Sequence, residues 1–101
     1  MDALDATERS RHRELVEQLV KARVGVVELA DGFAFQFTSD DATFAAAAEW
    51  VTYEGRCCPS LGFVIEWRDA TPITVRLTGE PGAKQFIAET FATLTQSDQQ
   101  T

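Results

Sequence analysis

Two stretches of this sequence alternate apolar and polar residues on either side of a turn, and each is followed by a helix-like stripe. In the first, Val26-Val27-Glu28-Leu29 leads through Ala30-Asp31-Gly32 into Phe33-Ala34-Phe35-Gln36-Phe37, where three phenylalanines share one face at period two. Asp-Gly between two such runs is a strong hairpin signal. In the second, Phe63, Ile65 and Trp67 oppose Val64, Glu66 and Arg68; residues 69–72 turn the chain, and Ile73, Val75 and Leu77 alternate with Thr74, Arg76 and Thr78 on the return. A strand with one apolar face must lay that face on another layer, and this requirement restricts the fold.

The remaining segments supply that layer. Thr7 is placed to cap a helix over about residues 8–23, in which Leu15, Val16, Leu19 and Val20 recur at three and four positions. Ser39 is a suitable cap for a second helix over about residues 40–54. Asp40 and Asp41 suit its positive end, and Phe44, Ala47, Ala48 and Val51 form its stripe. Gly55 is expected to end it, with Pro59 barring continuation. After residues 79–82 break the last strand, Ala83, Phe86, Ile87, Thr90, Phe91 and Leu94 predict a third helix of about twelve residues.

The order is therefore one helix followed by two hairpin-helix units. Phe35-Gln36-Phe37-Thr38 and Val75-Arg76-Leu77-Thr78 correspond at an offset of 40 residues. Duplication and convergent hairpin grammar explain that likeness equally well. The expected fold is α+β: a four-stranded antiparallel sheet with helices packed on one face, as a single domain over residues 1–101. Its ordered core would cover residues 7–95, with a frayed polar tail at 96–101. The other sheet face, carrying Gln36, Glu66, Arg68, Thr74 and Arg76, would meet solvent or a second subunit.

Composition then narrows the partners. The 101 residues carry a net charge of −7. The first 23 hold five charges of each sign, leaving four basic and eleven acidic residues beyond. Such a surface repels phosphate backbones, so neither nucleic acid nor an anionic membrane is expected. The longest apolar run, residues 44–48, is far short of a membrane span, and the acidic Met1-Asp2-Ala3-Leu4-Asp5 lacks an apolar signal core. A cytosolic protein with free thiols is the expectation.

Chemistry concentrates in Glu54-Gly55-Arg56-Cys57-Cys58-Pro59. Cys58 follows Val51 by seven residues and Phe44 by fourteen, so it continues the core stripe if the helical phase persists. Cys57 follows Trp50 and Glu54 on a less buried face, which predicts one packed sulfur and one accessible sulfur. A bland reading makes both sulfurs small core hydrophobes within a structural, dimerising or partner-docking module. A redox reading is weak, because the negative end of the second helix points at the pair. Adjacent residues across a trans peptide also sit ~3.8 Å apart, closer than the ~4.4–6.8 Å usual in disulfides.

A soft cation suits the pair better, since it displaces the thiol proton itself. Hg(II), Cu(I) and As(III) all favour sulfur donors, and a homodimer would offer four. Cys57, Cys58 and Glu54 are the candidate metal-ligating residues. Zinc would need four ligands, and His12 lies on the first helix stripe beside Leu15, Val16 and Leu19, as a satisfied helix-face histidine does. A thiol-dependent enzyme acting on a small electrophile would pair Cys57 with distant His12. No phosphate loop, zinc-protease helix, serine elbow or Cys-x-x-Cys motif is present, so no catalytic residue or cofactor site is assigned. Trp50, Tyr53, Phe63 and Trp67 flank the pair, as core or as the lining of a small apolar pocket.

The run of residues 54–63, together with Val75-Arg76-Leu77-Thr78-Gly79-Glu80-Pro81-Gly82-Ala83, resembles a group of small bacterial proteins of unassigned activity with a Cys-Cys-Pro-Phe core and a Leu-Thr-Gly-Pro-Glu-Gly-type helix start. Similar segments stand at the ends of some mercury-resistance-type regulators. The resemblance covers most of the chain after the first helix and implies a thiophilic metal as ligand. Cys57, Cys58 and Glu54 match the group's candidate functional positions. Ser60 stands where the group has Phe, and Glu80-Pro81-Gly82 inverts its usual Pro-Glu-Gly.

Overall fold

The first helix, α1 (Ala6–Ala22), starts two residues earlier than expected because Asp5 caps it instead of Thr7. The Asp5 carboxylate accepts the Glu8 N–H at 2.8 Å, and the Glu8 carboxylate accepts the Asp5 N–H at 3.2 Å. This reciprocal box satisfies two of the backbone donors that a helix start leaves open. The computed structural model describes residues 4–95, so the expected tail at 96–101 lies outside the described residues.

The chain passes directly from α1 into β1 (Arg23–Leu29), which pairs antiparallel with β2 (Gly32–Phe37) through the Asp31-Gly32 turn. Next come α2 (Asp41–Cys57), β3 (Gly62–Glu66) and β4 (Ile73–Thr78). The strand order is β1-β2-β4-β3, antiparallel throughout. In the central pair Phe35 faces Val75, the same residues that correspond at the 40-residue offset. The two hairpins are thus arranged about an approximate two-fold axis through that pair.

The expected C-terminal helix is divided into α3 (Ala83–Thr90) and α4 (Ala92–Thr95), with Phe91 leaving helical geometry between them at φ −111° and ψ 41°. Leu15 and Leu19 of α1, Ala46, Ala47 and Trp50 of α2, and Ile87, Phe91 and Leu94 meet the sheet residues Phe35, Phe37, Ile73, Val75 and Leu77 in one buried cluster. The helices therefore share one face of the sheet, as the alternation requires. Gln36, Thr74 and Arg76 lie on the opposite face, where Arg76 and Arg68 both pair with Glu66 at 2.9 Å.

Three local expectations are corrected. Ser39 does not cap α2; Asp40 does, its carboxylate accepting the Thr43 N–H at 2.7 Å, while the Ser39 hydroxyl accepts the Trp67 indole N–H at 2.7 Å. Trp67 does not continue the core face of β3. Its strand pairing ends at Glu66 opposite Thr74, and the indole instead stacks on Phe44 at 5.1 Å. Gly55 does not end α2, which runs on to Cys57 with Cys58 as its cap at φ −131° and ψ 66°. The cause is Pro59, whose ring disfavours helical geometry at the residue before it.

Gly32 illustrates how closely β2 and β4 approach. A Cβ added there would stand 1.9 Å from the Leu77 carbonyl oxygen, a contact that only backbone displacement relieves. Gly32→Ala is therefore expected to destabilise the protein by about 3 kcal/mol, the upper part of the usual overpacking range, seen as a lowered urea midpoint.

Candidate thiol site at the end of α2

The thiol site is built by the way α2 stops. Cys57 is its last residue and is exposed; Cys58 is the cap and is half-buried against the core. The Cys58 N–H donates to the Glu54 carbonyl at 2.8 Å, and its own carbonyl accepts the Leu61 N–H at 3.1 Å. Leu61 is itself buried, so both sides of the Cys58 backbone are tied to packed structure. The expected asymmetry of the two sulfurs is present. Because Cys57 is exposed, core packing accounts for Cys58 alone.

Glu54 lies one turn before Cys58 and is only 5% exposed. A carboxylate so buried needs a polar partner, and His12 of α1 supplies it through Nε2. The pair belongs to a polar seam between α1 and α2. Arg11 grips Glu49 with two N–H groups at 3.0 and 2.8 Å, and Arg56 reaches Glu8 at 2.8 Å while covering the Tyr53 ring. Arg11 thereby holds the Glu49 carboxyl below the usual range, and Arg56 does the same for Glu8. These largely exposed pairs bridge the two helices and contribute little to stability.

The seam decides the electrostatics at the sulfurs. Arg56, which the sequence places beside the cysteines, is engaged with Glu8 and Tyr53. Burial pushes the Cys58 thiol above its ordinary value, and the nearby Glu54 and Cys57 push it further. The helix C-terminus adds its negative end. This potential resists an anion, and by the same sign it favours a cation.

Cys57 and Cys58 are thus together, and Glu54 stands beside them with its carboxylate turned to His12. Among the described residues, no three His, Cys, Asp or Glu side chains form a group that could hold a metal ion. Of the aromatic residues near the pair in sequence, Trp50 is core and Trp67 stacks on Phe44.

The sequence reading missed the His12–Glu54 contact. The signal was available: Glu54 is in helical phase with Ala47 and Trp50, and His12 with Leu15 and Leu19, so each polar residue sits on a buried stripe. Removing His12 would leave the Glu54 carboxylate buried without its partner. His12→Ala is expected to cost about 2 kcal/mol, measured by urea unfolding. His12→Ala combined with Glu54→Leu should restore part of that loss.

Compared with protein-family models, with curated proteins and with solved structures, the chain matches none.

Proposed function

We propose that the protein binds one thiophilic cation or metalloid, of the kind Hg(II), Cu(I) or As(III) represent, through the sulfurs of Cys57 and Cys58. The observation that carries this reading is the placement of two adjacent free thiols, one exposed and one half-buried, beside a buried carboxylate at the negative end of a helix. Soft cations take sulfur donors readily and are satisfied by two of them. As the cation binds, each thiol releases its proton and each sulfur forms one bond to the metal, with no change of oxidation state. Glu54 acts through its charge, since His12 already engages its carboxylate. The motif resemblance to segments of mercury-resistance-type regulators points the same way.

A nucleophilic enzyme is the weaker reading. It needs a base for Cys57, and His12, the histidine it would use, is engaged by the Glu54 carboxylate. No helix is long and apolar enough to cross a membrane among the described residues. A pair of reduced thiols held for a metal suits a reducing compartment such as the cytosol.

The test is a thiol count during titration. One equivalent of Hg(II) added to reduced protein should remove both thiols from reaction with a chromogenic disulfide, and further metal should bind no more. One thiol left reactive at one equivalent, or a second equivalent bound, would overturn the two-sulfur site.

A further inference from the structure

A second feature lies on the other side of the His12–Glu54 pair. There α1, the end of α2 and the α3–α4 segment enclose a cleft of about 300 Å³. Its wall is apolar, formed by Val16, Phe91 and Leu94, and the His12–Glu54 pair supplies its buried polar end. The Arg23 guanidinium donates to the Leu94 carbonyl at 2.6 Å and so fixes the α4 side of the wall.

Arg13 stands at the cleft, exposed, on the turn of α1 that carries His12. The other arginines are engaged: Arg9 on the Leu4 carbonyl, Arg11 on Glu49, Arg23 on Leu94, Arg56 on Glu8, and Arg68 and Arg76 on Glu66. Of the arginines, Arg13 alone has no side-chain ion-pair or hydrogen-bond partner among the described residues. In a chain of net charge −7, an unengaged guanidinium beside an apolar hollow is the local exception.

We infer that this cleft binds a small organic monocarboxylate, with its apolar body against Val16, Phe91 and Leu94 and its carboxylate on Arg13. A guanidinium matches a planar carboxylate with two parallel N–H donors. One guanidinium balances one negative charge, whereas a phosphate dianion would face the acidic surface with a single counter-charge. Glu54 also lines the cleft with its carboxylate on His12, so the ligand's carboxylate is placed at the exposed Arg13 end and the apolar body towards Val16, Phe91 and Leu94. Size also limits the ligand: the volume is at the lower end for small-molecule sites and fits a body no larger than one aromatic ring with a short acid chain.

The probe is 3-phenylpropionate, with neutral 3-phenylpropanamide as control, followed by amide chemical shifts of the intact chain. Saturable shifts clustered in residues 12–16, at 54 and in 90–94 are expected, with a Kd of roughly 1 mM for so small a ligand. The amide should bind roughly tenfold more weakly, as should the acid to Arg13→Gln, reflecting one charge-assisted contact. Arg13 has no described partner to lose, so this variant should keep the wild-type spectrum. Equal binding of acid and amide, absence of saturation, or shifts centred elsewhere would overturn the inference. The cleft does not depend on the thiol reading: Cys57→Ser combined with Cys58→Ser should bind phenylpropionate as the wild type does, whatever its metal affinity.

Discussion

Trp50→Ala is expected to remove about 3–5 kcal/mol of stability, a large share of the roughly 5–15 kcal/mol that holds a domain of this kind together. Trp50 is fully buried and is the largest such side chain. Its ring meets Phe35 of the central sheet edge-on at 6.5 Å and Phe91 between α3 and α4 edge-on at 5.8 Å, so it ties α2 to both the sheet and the α3–α4 segment. Deleting it would leave a cavity that β2 and β4, constrained by their paired backbone, cannot collapse to fill. The indole N–H has no hydrogen-bond partner among the described residues, so its removal orphans no acceptor. Trp50→Phe should therefore be much milder than Trp50→Ala. Urea unfolding followed by circular dichroism measures both, and a cost below about 1 kcal/mol for alanine would contradict this account of the core.

The second large effect concerns the sulfurs. Cys57→Ser and Cys58→Ser are each expected to lower Hg(II) affinity by roughly 10²–10⁴-fold, the advantage lost when a second ligand no longer binds within the same molecule. The two losses should be similar, although Cys57 is exposed and Cys58 half-buried, because a two-sulfur site needs both equally. Only Cys58→Ser should also disturb stability, since Cys58 packs against the core. A nucleophilic site would behave differently: one cysteine would be indispensable and its neighbour dispensable. Competition against a chelating dithiol of known affinity gives the ratio for each variant.

Much of this arrangement was legible residue by residue. The period-two phenylalanines predicted a sheet face, and Phe35 and Phe37 are fully buried on it. The helical phase running from Phe44 through Val51 to Cys58 predicted which sulfur packs inward. Legibility ended where two local grammars competed and where distant segments met. Ser39 and Asp40 can each cap a helix; Asp40 does so, while Ser39 meets Trp67, 28 residues away. Trp67 continues its alternation perfectly well in sequence, yet the pairing of β3 with β4 ends one residue before it, at Glu66 opposite Thr74. Likewise, Glu54 and His12 each carried a sign of burial on their own helix. Their meeting depends on how α1 docks on α2, a contact between distant segments that neither helix shows alone.

The polar seam between α1 and α2 also bears on the candidate site. Arg56, four positions before Ser60 and next to Cys57, would acidify a thiol if it were free. Engaged with Glu8, it leaves the sulfurs in the company of Glu54 and the helix terminus.

The central claim is tested most directly by native mass spectrometry of fully reduced protein mixed with one equivalent of Hg(II) in excess monothiol. Adjacent sulfurs that act as a preorganised chelate should retain one metal per chain against the competitor. Transfer of the metal to the monothiol, leaving the protein bare, would contradict the claim and reduce Cys58 to packing and Cys57 to an unengaged surface thiol.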